Sequence, residues 1–103
     1  MERLMDLIGI YARIWNRSNE DKRFRLAGPR LSFEDKDEIL LWLDYVPKGA
    51  AKAMQPIRLY RENMDGGVDM VIDYVAESVK TAEVALSEFV ASGGAEGGGI
   101  SVR

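Results

Sequence analysis

Two chemically versatile residue types, cysteine and histidine, do not occur among the 103 residues of this sequence. Without cysteine the chain forms no disulfide, no thiolate metal site and no cysteine nucleophile. Without histidine it lacks the commonest general base and the commonest metal ligand. The sequence also has no phosphate-binding glycine loop, dinucleotide fingerprint, nucleophile elbow or zinc motif. We therefore expect no enzymatic activity, no cofactor and no bound metal, and we assign no catalytic residue.

Long apolar runs are missing as well. No run approaches the length of about 18 residues that a transmembrane helix needs, so we expect no membrane association. The first residues carry charges every few positions, which is not typical of a secretory signal. The sequence predicts a cytoplasmic protein, or one incorporated into a particle assembled in the cytoplasm. Its length suits one domain, 1–92, followed by a glycine-rich tail, 93–103.

Positive charge is scarce in the second part of the chain. The net charge is −3 overall, but residues 1–64 carry +2 and residues 65–103 carry −5. An acidic balance argues against a fold that coats nucleic acid, although a local basic patch is compatible with it. The candidate contacts for an anion or a nucleic acid are Arg17, Arg23, Arg25, Arg30, Lys52, Arg58 and Arg61.

Two segments have the apolar periodicity of amphipathic helices. Residues 2–17 place apolar side chains at three- and four-residue spacing, which predicts a helix. Residues 68–92 repeat the spacing of a heptad, which predicts a long helix ended by Gly93 and Gly94. We call its apolar stripe the heptad seam; it consists of Val68, Ile72, Val75, Val79, Ala82, Leu86 and Phe89.

The middle of the chain is also interpreted as helical. After an extended loop at 18–31, Ser32 is a candidate N-cap for a helix from Phe33 to Val46. Residues 39–43 are apolar on every side of such a helix, which predicts burial all round. Residues 48–64 predict two short helices with a kink at Pro56. The expected fold is therefore all-α: a bundle of three main helices, a kinked segment and a flexible tail.

This bundle would have more apolar surface than three helices can cover. We therefore predict a non-enzymatic assembly or adaptor protein that binds itself or another protein. The class includes structural and inhibitory proteins of phages and mobile elements, which is a general expectation for small acidic helical proteins. The predicted interface is the heptad seam together with Trp42.

Two further interpretations stay open. Residues 32–62 loosely resemble a helix-turn-helix, which would make the protein a DNA-binding regulator or packaging protein, with Lys52, Arg58 and Arg61 on the DNA. Pro56 counts against it, because proline would break the recognition helix.

In the tail, Ile100 and Val102 alternate as in a strand and are candidates for an anchor on a partner. The alternative interpretation of the tail is a frayed terminus.

Overall fold

Three strands and two long helices make up the fold. The computed structural model of the protein describes residues 1–46 and 53–93. The three strands form an antiparallel sheet in the order β1-β2-β3. The predicted all-α bundle is therefore wrong, and the fold is mixed α and β. The elements in chain order are α1 Glu2–Ser18, β1 Phe24–Leu31, β2 Glu38–Tyr45, β3 Ala53–Tyr60, a 3-10 turn Arg61–Met64 and α2 Val68–Ala91.

Both helices predicted from periodicity are confirmed. Helix α1 buries Ile8, which belongs to the apolar spacing of its sequence, together with Ala12, whereas Ile14 of the same spacing is exposed. Helix α2 begins after Gly67, and the chain leaves it through Gly93, whose φ of 87° is in the left-handed region that glycine tolerates best. In these two segments the local pattern and the tertiary packing agree.

The helix predicted from Phe33 to Val46 is wrong, because residues 38–45 form the central strand β2. An apolar run without gaps fits a strand that is covered on both faces as well as it fits a buried helix. The Ser32 side chain does accept backbone hydrogen bonds, as an N-cap would, but it does so in a turn and not at the start of a helix. The Ser32 hydroxyl accepts hydrogen bonds from the backbone N–H groups of Glu34 and Asp35, at 3.1 and 3.2 Å.

The flanking predictions are corrected in the same way. Part of the expected loop at 18–31 is strand β1, and residues 53–60 of the expected kinked helices are strand β3. Pro56 lies within β3, which is an edge strand, where a residue without an N–H group is tolerated. The described part of 32–62 is thus a β-hairpin and a 3-10 turn, with no recognition helix; the predicted helix at residues 48–52 lies outside the described ranges.

A bulge in β1 decides which side of the sheet its last residues face. Ala27 pairs with Trp42 and Arg30 pairs with Leu40, so β1 uses one more residue than β2 over this interval. Gly28 makes the bulge with a φ of 109°, and a Cβ atom there would lie 2.9 Å from the carbonyl oxygen of Leu40. The extra residue returns the Arg30 side chain to the same face as Trp42.

Helix α1 protects the free edge of β1. The side-chain amide of Asn16 donates to the Leu26 carbonyl at 3.0 Å and accepts from the Leu26 N–H at 2.8 Å. These two bonds imitate those of a neighbouring strand, so the backbone of Leu26 is satisfied at the edge of the sheet. They also fix α1 against the sheet.

Both helices pack on one face of the sheet, which we call the closed face. Its side chains alternate along the three strands with those of the opposite face and join α1 and α2 in a single hydrophobic core. All of them except Phe24 are buried. The apolar residues of the closed face are Phe24, Leu26, Ile39, Leu41, Leu43, Tyr45, Ala53, Ile57 and Leu59.

Candidate functional site

The second face of the sheet carries no helix or strand from the described part of the chain. We call it the open face. Strand alternation and pairing place on it the residues Arg25, Ala27, Arg30, Glu38, Leu40, Trp42, Asp44, Met54, Pro56, Arg58 and Tyr60.

The centre of the open face is apolar. Trp42 on the middle strand is paired with Ala27 on one side and with Pro56 on the other. Leu40 is half-buried beside it, and Met54 is 42% exposed. A sheet with one face in water normally places polar side chains on that face. The centre of the open face departs from this pattern, because Leu40 and Trp42 of the middle strand are both apolar.

Arginine and aromatic groups are in contact at one end of this face. The guanidinium carbon of Arg30 lies 5.8 Å from the centre of the Phe33 ring and 5.9 Å from that of Trp42. Such distances permit a cation–π attraction. Phe33 belongs to the turn after β1 and is 94% exposed, so this ring has almost no cover from the described residues.

The charged side chains of the open face differ in their partners. The carboxylate of Glu38 is only 4% exposed and accepts a hydrogen bond from the Arg58 guanidinium at 2.9 Å. That hydrogen bond, together with the charge of Glu38, raises the pKa of Arg58 above its ordinary value. The pair satisfies a buried carboxylate, which would otherwise be costly.

The carboxylate of Asp44, unlike that of Glu38, has no such partner among the described residues. Its Oδ1 atom is buried and has no hydrogen-bond partner among the described residues. The residue is paired with Arg25 on β1 and with Met54 on β3, yet no ion pair within the described ranges includes Asp44. A buried carboxylate oxygen without a donor is uncommon in folded proteins and requires an explanation.

The heptad seam is largely used inside the protein. Val75, Val79, Ala82 and Leu86 are buried in the hydrophobic core against the sheet. Ile72 is half-buried, and the two end residues, Val68 and Phe89, are exposed. Trp42, which was predicted to join the seam in one interface, lies on the opposite side of the sheet from α2. The structure therefore separates the two parts of the predicted interface.

The predicted basic contacts are divided among several surfaces. Arg25, Arg30 and Arg58 meet on the open face, and Arg23 immediately precedes β1. Arg17 lies in the last turn of α1, and Arg61 lies 3.7 Å from a carboxylate oxygen of Asp37. Three other residues predicted to make contacts lie outside the described ranges: Lys52, Ile100 and Val102.

Sequence reasoning missed most of the open face. Two signals in the sequence point to it: the apolar run at 39–43, which suits a strand of that length, and the apolar and polar alternation from Ile57 to Tyr60. Neither signal shows that the two segments would pair. The residues missed are Ala27, Glu38, Leu40, Asp44, Met54, Pro56 and Tyr60.

Concave regions away from the centre of the open face include a cleft and a groove. An open cleft of about 630 Å³ is lined mostly by carboxylates, including Asp35, Asp37 and Asp65. A groove of about 510 Å³ runs between the beginnings of α1 and α2 and has an apolar lining that includes Leu7 and Val68.

No cluster of metal-ligating side chains is found within 1–46 and 53–93. Neither α1 nor α2 combines the length and the hydropathy that a bilayer-spanning helix requires.

Two titrating groups of the described residues have a shifted pKa. Burial raises the pKa of the Tyr11 hydroxyl, and the pKa of Arg58 is raised by its hydrogen bond to Glu38. Both changes move the pKa of the group further from neutral pH. Comparison of the chain with protein-family models, curated proteins and solved structures gives no match.

Proposed function

We propose that this protein is a non-enzymatic assembly or adaptor protein that acts through protein–protein contacts, and that the open face is its binding surface. The observation that carries the proposal is the Trp42-centred apolar patch on a sheet face left uncovered by the described elements. We place its action in the cytoplasm or in a particle assembled there.

The composition of the open face supports a protein partner. Protein interfaces have an apolar core with aromatic residues, methionine and arginine, surrounded by a polar rim. Trp42, Met54 and Tyr60 with Arg25 and Arg30 reproduce this composition. The apolar run at residues 39–43 of β2 is typical of a strand covered on both sides, and only one side is covered by α1 and α2.

Single-stranded nucleic acid is a second candidate partner, because Arg30 lies against the rings of Trp42 and Phe33. Exposed rings on a sheet, next to arginine, are able to stack bases. The charge balance favours protein, however. Glu38 and Asp44 offset two of the three arginines of the open face, whereas nucleic-acid binding gains its affinity from a clear excess of positive charge.

Site-specific photo-crosslinking in the native cell separates these candidates. A photoreactive amino acid replaces Met54, which is 42% exposed on the open face, and in a matched variant it replaces Val84, which is 54% exposed on α2. Position 84 reports contacts made by the helical side of the protein. We expect position 54 to give protease-sensitive adducts of discrete mass and position 84 to give far fewer.

Each outcome is informative. Protein adducts confined to position 54 support the proposal, whether the added mass is that of this chain or of another protein. Adducts that a nuclease removes would assign the open face to nucleic acid and overturn the proposal. Equal labelling at both positions, or no adduct at position 54, would also overturn it.

A further inference from the structure

We infer that the open face binds an acidic amphipathic helix of another protein, with the apolar side of that helix on Trp42 and its carboxylates along β1. The inference rests on the proposed function and specifies the chemistry of the partner. It follows from the separation of cationic and apolar side chains across the open face.

The arginines of the open face that reach water are concentrated along β1. Arg25 and Arg30 are exposed on this strand. Arg23 continues their alternation one step earlier, because the Val46 N–H donates to the Arg23 carbonyl oxygen at 2.9 Å and so extends the pairing of β1 with β2. Within the described ranges none of these three arginines forms an ion pair. One side of the open face therefore presents a line of exposed positive charge.

The carboxylates of the open face are less accessible and lie on β2. Glu38 is only 4% exposed and is bonded to Arg58, and Asp44 is half-buried. They lower the net charge of the face but do not cover the arginines of β1. Between them on β2 lie the apolar side chains of Leu40 and Trp42. A partner with carboxylates over β1 and apolar side chains over β2 complements this surface.

The edges of the sheet argue for a helix as the occupant. Asn16 of α1 already bonds both backbone groups of Leu26 at the edge of β1. In β3, Pro56 has no N–H group, and the N–H of Tyr60 donates to the Tyr74 hydroxyl at 3.1 Å. Addition of a strand at either edge is therefore impeded. On the flat face an extended peptide would leave its backbone without partners, whereas a helix satisfies its own.

The dimensions of the open face suit one helix. The axes of three adjacent strands span about 10 Å, and a helix with its side chains is about 10–12 Å in diameter. Strands of eight residues are about 26 Å long, which corresponds to about 17 residues of helix. A single helix laid along the strands thus covers Trp42 and its apolar neighbours.

The strand register sets the pattern expected in the partner. Arg25 and Arg30 pair with Asp44 and Leu40, so they lie about 13 Å apart along the sheet. Carboxylates about seven or eight residues apart on one side of a helix are separated by about 11–12 Å, which the long arginine side chains can accommodate. Trp42 lies midway, so the helix needs a large apolar residue between the two carboxylates.

The turn between β1 and β2 limits the site at one end. Its exposed carboxylates belong to Glu34, Asp35 and Asp37 and would repel an acidic partner that reached beyond Arg30. The acidic side of the bound helix therefore extends from Arg30 towards Arg23.

Selection from a displayed library of amphipathic helices of about 18 residues, randomised on both sides of the apolar stripe, tests the inference on purified full-length protein. We expect the selected peptides to carry Asp or Glu at the expected spacing, with a large apolar residue between them. The variant Arg25→Glu/Arg30→Glu should select Lys or Arg at the same positions. By fluorescence anisotropy, a peptide selected on the unaltered protein should bind this variant at least tenfold more weakly.

The matched control is Arg3→Glu/Lys80→Glu, which changes the net charge equally at exposed positions of α1 and α2. It should bind the selected peptide as the unaltered protein does. Trp42→Ala should weaken binding at least tenfold, because the apolar contact is lost. Circular dichroism should show native folding for all three variants, so that the losses report the surface and not the fold.

Several outcomes would overturn the inference. Peptides without acidic enrichment, or the same peptides selected by the charge-reversed variant, would contradict the role of the arginines. A single-stranded oligonucleotide that binds more tightly than the selected peptide would assign the face to nucleic acid. Adducts from position 54 with the mass of a second copy of this chain would assign the face to self-association. In this last case, and where only the acidic enrichment fails, protein adducts at position 54 still support the proposed function.

Discussion

The closed and open faces of the same three strands differ in how completely they are covered by their own chain. On the closed face, Ile39, Leu41 and Leu43 are 0% exposed and are covered by helices of their own chain. On the open face the intervening positions Leu40, Trp42 and Asp44 are only half-buried. The closed face is complete within one chain, whereas the open face has apolar area and a buried carboxylate oxygen that the described chain does not satisfy.

The chemistry of the two faces differs accordingly. The closed face consists mainly of aliphatic side chains, whose burial is favourable in any orientation and stabilises the fold. The open face carries guanidinium groups and carboxylates beside its rings, and the interactions of these charged groups depend on geometry and so can distinguish one partner from another. Alternation along β2 thus assigns its odd-numbered residues to the core and, under the proposed function, its even-numbered residues to a partner.

The largest effect should come from placing a charge under the closed face. Val79 on α2 is 2% exposed, so Val79→Asp buries a carboxylate without a partner and should cost about 4–5 kcal/mol, a large part of the stability of a small domain. Loss of the helical circular-dichroism signal or insoluble protein is expected. The control is Val84→Asp at a 54% exposed position of the same helix, which should fold normally. Folded, soluble Val79→Asp protein would contradict the packing of α2 on the sheet.

A smaller loss of stability should distinguish the two faces of β2 when neighbouring leucines are truncated. Leu41→Ala removes a fully buried side chain from the closed face and should lower the free energy of unfolding by about 2–5 kcal/mol. Leu40→Ala, one residue earlier on the open face, should cost about 1 kcal/mol or less in the monomer, because its side chain is half-buried. Urea unfolding of both variants at low protein concentration measures the difference. Equal losses would show that the open face is covered within the single chain.

The smallest effect concerns the bulge that returns Arg30 to the open face. Gly28→Ala places a Cβ atom 2.9 Å from the Leu40 carbonyl oxygen at a positive φ, and should cost about 1–3 kcal/mol. Gly9→Ala in α1 meets only an ordinary contact of 3.6 Å with Pro29 and should stabilise the protein by up to about 1 kcal/mol, because alanine favours helix. Melting temperatures of the two variants should therefore shift in opposite directions. Shifts of the same sign would contradict the strained geometry of Gly28.

The parts of the fold that could be predicted are those with local patterns. Helices α1 and α2 follow from apolar spacing, and Gly93 marks the end of α2, because a helix satisfies its backbone within its own segment. The strands could not be predicted in the same way. The run from Ile39 to Leu43 is apolar at every position and has no period that distinguishes helix from strand, and the cap-like Ser32 favoured the wrong choice.

The candidate site was even less accessible from sequence. Trp42 was singled out, and so were Arg25, Arg30 and Arg58, but as parts of separate segments. Their meeting depends on strand register, and the face of Arg30 depends on one additional residue in β1. A shift of a single residue moves a side chain to the other side of a sheet, so no local pattern specifies such a surface.

The sequence by itself determined the two helices, the composition without cysteine or histidine, and the acidic second part of the chain. Only the tertiary structure decided that the middle of the chain forms a sheet. It also decided that most of the heptad seam of α2 packs against that sheet, and that Trp42 and the arginines share the open face. The physical reason is the range of the hydrogen bonds. A residue in a helix forms its backbone hydrogen bond with a residue four positions away, whereas a strand forms its backbone hydrogen bonds with a distant segment. The segments that pack on a strand therefore decide which of its two faces is buried.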